Sequence, residues 1–138
     1  MTRINLVDPS ELYDQHLVAE YREIFMVGSS LRRSLASPNW SMSKIPTKFT
    51  LNKGHVSFFY DKGLYLHLRY KSLIEEMRHR DMKPDPTRTF KIEQWPSNLY
   101  NDWVASETDK NIVRARIEER VASKPNWYRR TKGHNYEQ

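Results

Sequence analysis

Residues 8–35 read DPSELYDQHLVAEYREIFMVGSSLRRSL and carry a strong helix pattern. Asp8 suits an N-cap, Pro9 suits the first helical position, and Glu11 stands where a capping box places its acid. Apolar residues then recur at spacings of three and four, which places them on one helix face. The face comprises Tyr13, Leu17, Tyr21, Ile24, Gly28, Leu31 and Leu35. The pattern predicts one long helix.

Two further segments predict helices. One runs from near Leu64 to Arg80, with Asp61 as its expected cap. The other follows the capping pattern SETD of residues 106–109 and must end by Lys124, because a proline follows and disfavours helical backbone before it. In the helix from near Leu64 to Arg80, the positions expected to face inward are Leu66, Tyr70, Leu73, Ile74 and Met77. In the helix that follows residues 106–109, they are Ile112, Val113, Ile117 and Val121.

The segments between the helices, 36–62 and 81–105, are long and rich in proline and aromatic residues. Residues 50–51 and 56–58 are alternatives for short strands, but we predict no sheet. No internal repeat or flexible linker divides the chain. We therefore predict an all-α fold: a compact single domain over residues 1–138, with three main helices and long irregular connecting loops.

The overall charge points to a polyanionic partner. The chain carries 23 Lys and Arg against 17 Asp and Glu, a net charge of +6 at pH 7, and this balance favours nucleic acid. The absence of cysteine excludes disulfide scaffolds, thiol nucleophiles and Cys-based metal sites. No apolar run is long enough to span a membrane, and the first residues do not resemble a secretory signal. We expect a cytoplasmic protein with no membrane partner.

Polar residues occupy the side of the first predicted helix opposite its apolar face. Gln15, His16, Arg22 and Glu23 cover an arc of about 120° on a helical wheel. Such an arc is typical of a solvated face, or of anion-binding and acid–base groups that face a ligand. His16 and Glu20 are four residues apart and could ligate a metal, but no third ligand is evident. We therefore predict no metal site.

The residue after Met1 is a candidate nucleophile. The small side chain of Thr2 permits removal of the initiator methionine, which exposes an α-amine. The ordinary pKa of such an amine is about 8, so about a tenth of it is neutral at pH 7, and it can form Schiff bases. Residues 2–7 span about 20 Å when extended, enough to fold back beside Glu23. The alternative is an ordinary processed terminus.

Three blocks of the sequence carry a resemblance. They are residues 2–6 (TRINL) with 14–17 (DQHL) and 19–23 (AEYRE), residues 54–62 (GHVSFFYDK), and residues 115–116 (AR) with 125–128 (PNWY). Together they resemble the pyrimidine-dimer DNA glycosylase family over the whole chain. The resemblance implies a compact three-helix enzyme without cofactor or metal.

The resemblance also implies a reaction. The enzyme would remove the 5′ base of a cyclobutane pyrimidine dimer and then nick the strand. The Thr2 α-amine would attack C1′ to give an imine, β-elimination would follow, and Glu23 would be the essential acidic group. The implied contacts with DNA are Arg3, Gln15, His16, Arg22, Arg116 and Arg120, and Trp127 and Tyr128 are candidates for stacking.

Two positions near Glu23 depart from the family's phage enzyme. Phe25 and Met26 stand where that enzyme has Pro-Arg, so a cation on the lesion side is missing, or Arg32 or Arg33 replaces it. Because Met26 weakens the contacts specific for the dimer, one alternative is a lyase for abasic sites or oxidised bases. The basic surfaces alone would support a non-enzymatic DNA-binding module, and a metal-dependent nuclease is the last alternative. In each case we expect a monomer that binds double-stranded DNA.

Overall fold

The computed structural model describes residues 3–131, and this part of the chain is helical and contains no β-strand. The predicted all-α fold is confirmed. The helices are α1 (Asp14–Glu23), α2 (Phe25–Ala36), α3 (His55–Phe58), α4 (Gly63–His79) and α5 (Glu107–Ser123), and 3-10 turns lie at Pro9–Glu11, Met42–Lys44, Phe59–Asp61, Ile92–Gln94 and Ser97–Leu99. Within residues 3–131, none of the helices combines the length and the hydropathy that a membrane span requires.

The single long helix predicted from residue 8 is wrong. Asp8 does cap a helical turn, since it accepts a 2.9 Å hydrogen bond from the Ser10 amide, but that turn ends at Glu11. Leu12 is extended and fully buried, and α1 begins only at Asp14. A second interruption at Ile24 separates α1 from α2. The apolar face nevertheless packs inward, except that Tyr13 is partly buried and Leu35 is exposed.

The other two predicted helices are confirmed with local corrections. Ser106 caps α5 by accepting a 3.0 Å hydrogen bond from the Asp109 amide, and α5 ends just before Lys124. Asp61 does not cap α4, because it lies in the preceding 3-10 turn and pairs with the neighbouring lysine at 2.7 Å. Ile112 was expected to be buried but is exposed, and Ile74 is only partly buried. Residues 56–58, an alternative for a strand, lie in α3.

Two glycines allow the long segment 81–105 to pack against the helices. A Cβ added at Gly63 would lie 2.7 Å from the Trp95 ring, and one at Gly28 would clash with the side chain of Gln94. Trp95 is buried as a result of this close approach. The segment thus covers the side of α2 and α4 and contributes to the core.

Candidate active site

A cleft of about 280 Å³ lies among the N-terminal arm (residues 3–7), α1 and α5. Residues that are far apart in the sequence line it together. Six of the predicted functional residues are among them: Arg3, His16, Glu23, Arg116, Arg120 and Tyr128. The cleft therefore gathers the predicted acid and half of the predicted DNA contacts at one place.

Three arginines and two glutamates, Glu20 and Glu23, line the cleft. Burial, followed by repulsion from Arg116 and Arg120, lowers the pKa of Arg3, and Glu23 partly offsets this effect. Two further arginines and the partly exposed Glu23 thus lie within electrostatic reach of Arg3. Such an arrangement can bind phosphates and place a carboxylate beside a developing positive charge.

A buried ion pair forms the floor beneath the arm. The Arg69 Nε and Nη2 groups donate to Glu20 at 2.7 and 3.0 Å, and both side chains are almost fully buried. Asn5 donates to the same carboxylate from its side chain at 2.9 Å and from its backbone at 3.3 Å. Arg69 also donates to the Val7 carbonyl. These contacts fix the arm against α1 and α4.

Sequence reasoning missed this network, although a signal was present. Arg69 stands three residues after Leu66 and four before Leu73, on the inward face of α4. A charged residue at such a position is buried only when it is paired. Because Glu20 is already bound by Arg69 and Asn5, the metal-binding alternative with His16 is wrong. Residues 3–131 hold no group of three or more metal-ligating side chains.

His55 provides a second anchor for the arm. Its Nε2 accepts a 2.9 Å hydrogen bond from the Ile4 amide, and its Nδ1 donates to the Thr50 carbonyl at 2.8 Å. The ring is therefore neutral, with its proton on Nδ1. Burial lowers the pKa of His55, and the charge of Arg3 acts in the same direction.

His16 forms part of the cleft wall. Its ring stacks on Tyr128 with centroids 4.8 Å apart and planes 5° from parallel. Its buried Nδ1 has no hydrogen-bond partner in the described part of the chain. Burial, together with the charge of Arg120, lowers the pKa of His16. The cleft thus contains a neutral imidazole near pH 7.

Residues 127–131, here called the strap, cross the start of α1. The Gln15 side chain donates to the Trp127 carbonyl at 2.6 Å and accepts from the Arg129 amide at 3.2 Å. Gln15 therefore binds the strap with both ends of its amide, and its contact with DNA stays a prediction. Trp127 is half exposed and lines a neighbouring groove with Arg22.

Two predicted DNA contacts lie elsewhere, and the predicted nucleophile is outside the part of the chain that the structure describes. Arg32 and Arg33 are exposed on α2 and line neither the cleft nor the groove beside Trp127. Thr2 lies outside the described residues, but the next residue, Arg3, lines the cleft. Their predicted roles stay predictions.

One comparison with known protein families bears on this site. A family model described as pyrimidine dimer DNA glycosylase matches residues 1–90. The match includes the arm, α1 and α4, which carry the buried network and Glu23, and it ends before α5.

Proposed function

The chain belongs to the pyrimidine dimer DNA glycosylase family, and from this membership we propose a two-step reaction. The enzyme excises the 5′ base of a cyclobutane pyrimidine dimer and then cleaves the abasic site through an imine. The observation that supports this proposal best is the cleft in which Glu23 meets Arg3, Arg116 and Arg120. It combines phosphate-binding charge with an acid–base group.

The nucleophile of the proposal is the α-amine of Thr2, exposed by removal of Met1. Its neighbour Arg3 lines the same cleft as Glu23, which supports the assignment. Burial and then repulsion from Arg116 and Arg120 lower the pKa of Arg3, while Glu23 acts in the opposite direction. Burial and neighbouring positive charge would act in the same direction on an amine beside Arg3. A lower pKa increases the neutral, nucleophilic fraction at pH 7.

The first step exchanges one bond at C1′ for another. The amine nitrogen bonds to C1′ while the glycosidic bond breaks, and the departing base keeps the electron pair and takes a proton. Nitrogen then loses a proton, the bond from C1′ to the ring oxygen breaks, and the oxygen is protonated. The result is an iminium ion on the opened sugar, whose charge the Glu23 carboxylate stabilises.

The second step is a β-elimination that requires a base. Glu23 removes a proton from C2′, a double bond forms between C2′ and C3′, and the 3′ phosphate leaves with the electron pair of its C–O bond. Arg116 and Arg120 neutralise the phosphates on either side of the cleft. Water then hydrolyses the imine and releases the free amine.

A charge-neutral substitution tests the role of Glu23. Glu23→Gln keeps the size and hydrogen bonding of the side chain but removes its charge and basicity. Cleavage of a duplex with one dimer should fall by about a hundredfold or more, the range of general acid–base catalysis, while binding is retained. The matched control is Glu119→Gln, which removes one exposed carboxylate from α5. Wild-type turnover of the Glu23 variant would exclude it as the catalytic carboxylate.

A further inference from the structure

Asp14 binds the end of the strap, in addition to the Gln15 contacts and a 2.6 Å hydrogen bond from the Arg130 side chain to the Glu11 carbonyl. Asp14 Oδ1 accepts from the Thr131 amide at 3.0 Å, and Oδ2 accepts from the Thr131 hydroxyl at 2.5 Å. The Asp14 amide also donates to the Arg129 carbonyl at 2.7 Å. The first residue of α1 therefore holds the strap through three hydrogen bonds.

Asp14 is itself held rigidly by a buried arginine. Arg80 donates to Asp14 at 2.9 Å, to Glu76 at 2.7 Å and to the Pro9 carbonyl at 3.1 Å. Burial raises the pKa of Asp14, but the hydrogen bonds from Thr131 and Arg80 outweigh it and hold the pKa below its ordinary value. The anchor is therefore an ionised, preorganised acceptor.

The attachment fixes the position of Tyr128. The peptide groups on both sides of it are bound, since Gln15 binds the Trp127 carbonyl and the Arg129 amide. Tyr128 is the only partly buried residue of the strap, and the other four are exposed. Because little of the strap is buried, its hydrogen bonds act together with the ring contacts of Tyr128 with His16 and Tyr13 to keep it in place.

The strap brings positive charge close to the cleft. Arg129 and Arg130 bring two positive charges to a segment whose Tyr128 lines a cleft that already contains Arg3, Arg116 and Arg120. Like charges in close proximity repel. The Asp14 charge is paired with Arg80, whereas the Arg130 side chain donates to the Glu11 carbonyl and lies 4.4 Å from the centre of the Tyr13 ring.

We propose that Asp14 and Thr131 are positioning residues that hold Tyr128 against His16 and so form the wall of the cleft that selects damaged DNA. The inference rests on the proposed function. Neither residue lines the cleft between the arm and α5, so both act through the strap. Releasing Thr131 should let Tyr128 leave His16 and should weaken recognition of the dimer more than binding to undamaged DNA.

Substitutions at exposed Thr131 test the proposal without disturbing the buried pair of Asp14 and Arg80. Thr131→Val removes the hydroxyl, Thr131→Pro removes both the hydroxyl and the amide donor, and Thr131→Ser keeps both. The first readout is the pKa of His16, measured by NMR titration in the absence of DNA. Arg120 repels the charged form of the His16 ring, and Arg3, Glu23 and Arg116 line the same cleft as His16. The substitutions at Thr131 alter none of these residues.

The expected result is a graded change. The pKa of His16 rises toward 6.5 in Thr131→Val, rises further in Thr131→Pro, and stays at its wild-type value in Thr131→Ser. The ratio of affinities for dimer-containing and undamaged duplex falls by about threefold or more in the valine and proline variants, as expected for the loss of a hydrogen bond to a charged group. The serine variant keeps the wild-type ratio.

Two results would overturn the proposal. One is a His16 pKa that is the same in all three variants and the wild type. The other is a raised His16 pKa with an unchanged affinity ratio, which would leave the strap without a role in recognition. If the wild-type protein does not prefer dimer-containing DNA at all, the proposed function fails, and the His16 titration alone then decides whether Thr131 positions Tyr128.

Discussion

Arg69 donates two hydrogen bonds, of 2.7 and 3.0 Å, to Glu20, which stands three residues before Glu23 on the same helix. The two glutamates have opposite environments. Glu20 is 1% exposed and fully paired, whereas Glu23 is partly exposed and forms no ion pair with any residue from 3 to 131. The structure thus separates a carboxylate that holds the arm from one that faces the cleft.

Glu20→Gln should destabilise the protein. The substitution leaves the buried Arg69 guanidinium without a counter-charge, and breaking a buried pair in this way costs about 3–5 kcal/mol. Chemical denaturation measures the free energy of unfolding. The control is Glu119→Gln on the exposed side of α5, which should change that free energy by less than about 0.5 kcal/mol. Equal effects of the two substitutions would show that the buried network does not stabilise the fold.

The stability of the protein should fall as the pH drops below about 6.5. Burial lowers the pKa of His55 in the folded protein, so the unfolded chain binds a proton at a pH where the folded chain does not. The stabilisation is therefore fully present above the pKa that His55 has in the unfolded chain. It is lost as the pH falls toward the lower pKa that His55 has in the folded protein.

The pKa values of His16 and His67 are also lowered in the folded protein. The contribution of His55 to the pH dependence of stability must therefore be measured separately. His55→Gln retains a donor and an acceptor but does not titrate. The free energy of unfolding, measured from about pH 7.5 to about pH 5, should depend less steeply on pH in this variant than in the wild type. Identical slopes would mean that His55 does not contribute to the acid sensitivity.

Binding to undamaged duplex should weaken with salt, and Arg116 should contribute to the slope. Arg116→Gln should reduce the slope of log K against log salt by about one, because one phosphate contact is lost. The matched control lies on the same helix: Arg114 pairs with Glu11 and Glu107 outside the cleft. Arg114→Gln should leave the slope unchanged, and a decrease equal to that of Arg116→Gln would contradict the assignment of the cleft to DNA.

Met26→Arg should tighten binding to dimer-containing DNA. Met26 is 54% exposed and lies just after the interruption at Ile24 that follows Glu23. One charge-assisted contact is worth roughly 1.5–3 kcal/mol, or tenfold or more in affinity. Met42, exposed to a similar degree, provides the control, since Met42→Arg adds the same charge elsewhere. If both variants bind alike, Met26 does not face the lesion.

The local features of the fold were predictable because they depend on neighbouring residues. The Ser106 cap and the end of α5 before Lys124 follow from residues within one helical turn. The interruption at Ile24 could not be predicted, because Ile24 keeps helical dihedral angles and its amide still bonds to the Glu20 carbonyl at 2.9 Å. The apolar spacing therefore continues across it without a visible change.

The candidate site was only partly predictable, because its contacts join distant parts of the chain. The polar arc of α1 and the resemblance identified Glu23 and His16, but Arg69 reaches Glu20 across 49 residues. The contact between Gln15 and Trp127 spans 112 residues. No periodic pattern encodes such pairings, so the arm network and the attachment of the strap emerge only from the folded chain.

The most direct test of the account is the position of the covalent bond to DNA. Borohydride reduction of a reaction with dimer-containing duplex should trap an irreversible protein–DNA adduct, because only an imine is reduced to a stable amine. Proteolysis and mass spectrometry should then place the sugar remnant on the α-amine of Thr2, in a peptide that lacks Met1. A variant with one residue inserted between Met1 and Thr2 should fold but form no adduct. An adduct on a lysine side chain, or no adduct with a protein that cleaves the strand, would contradict the account.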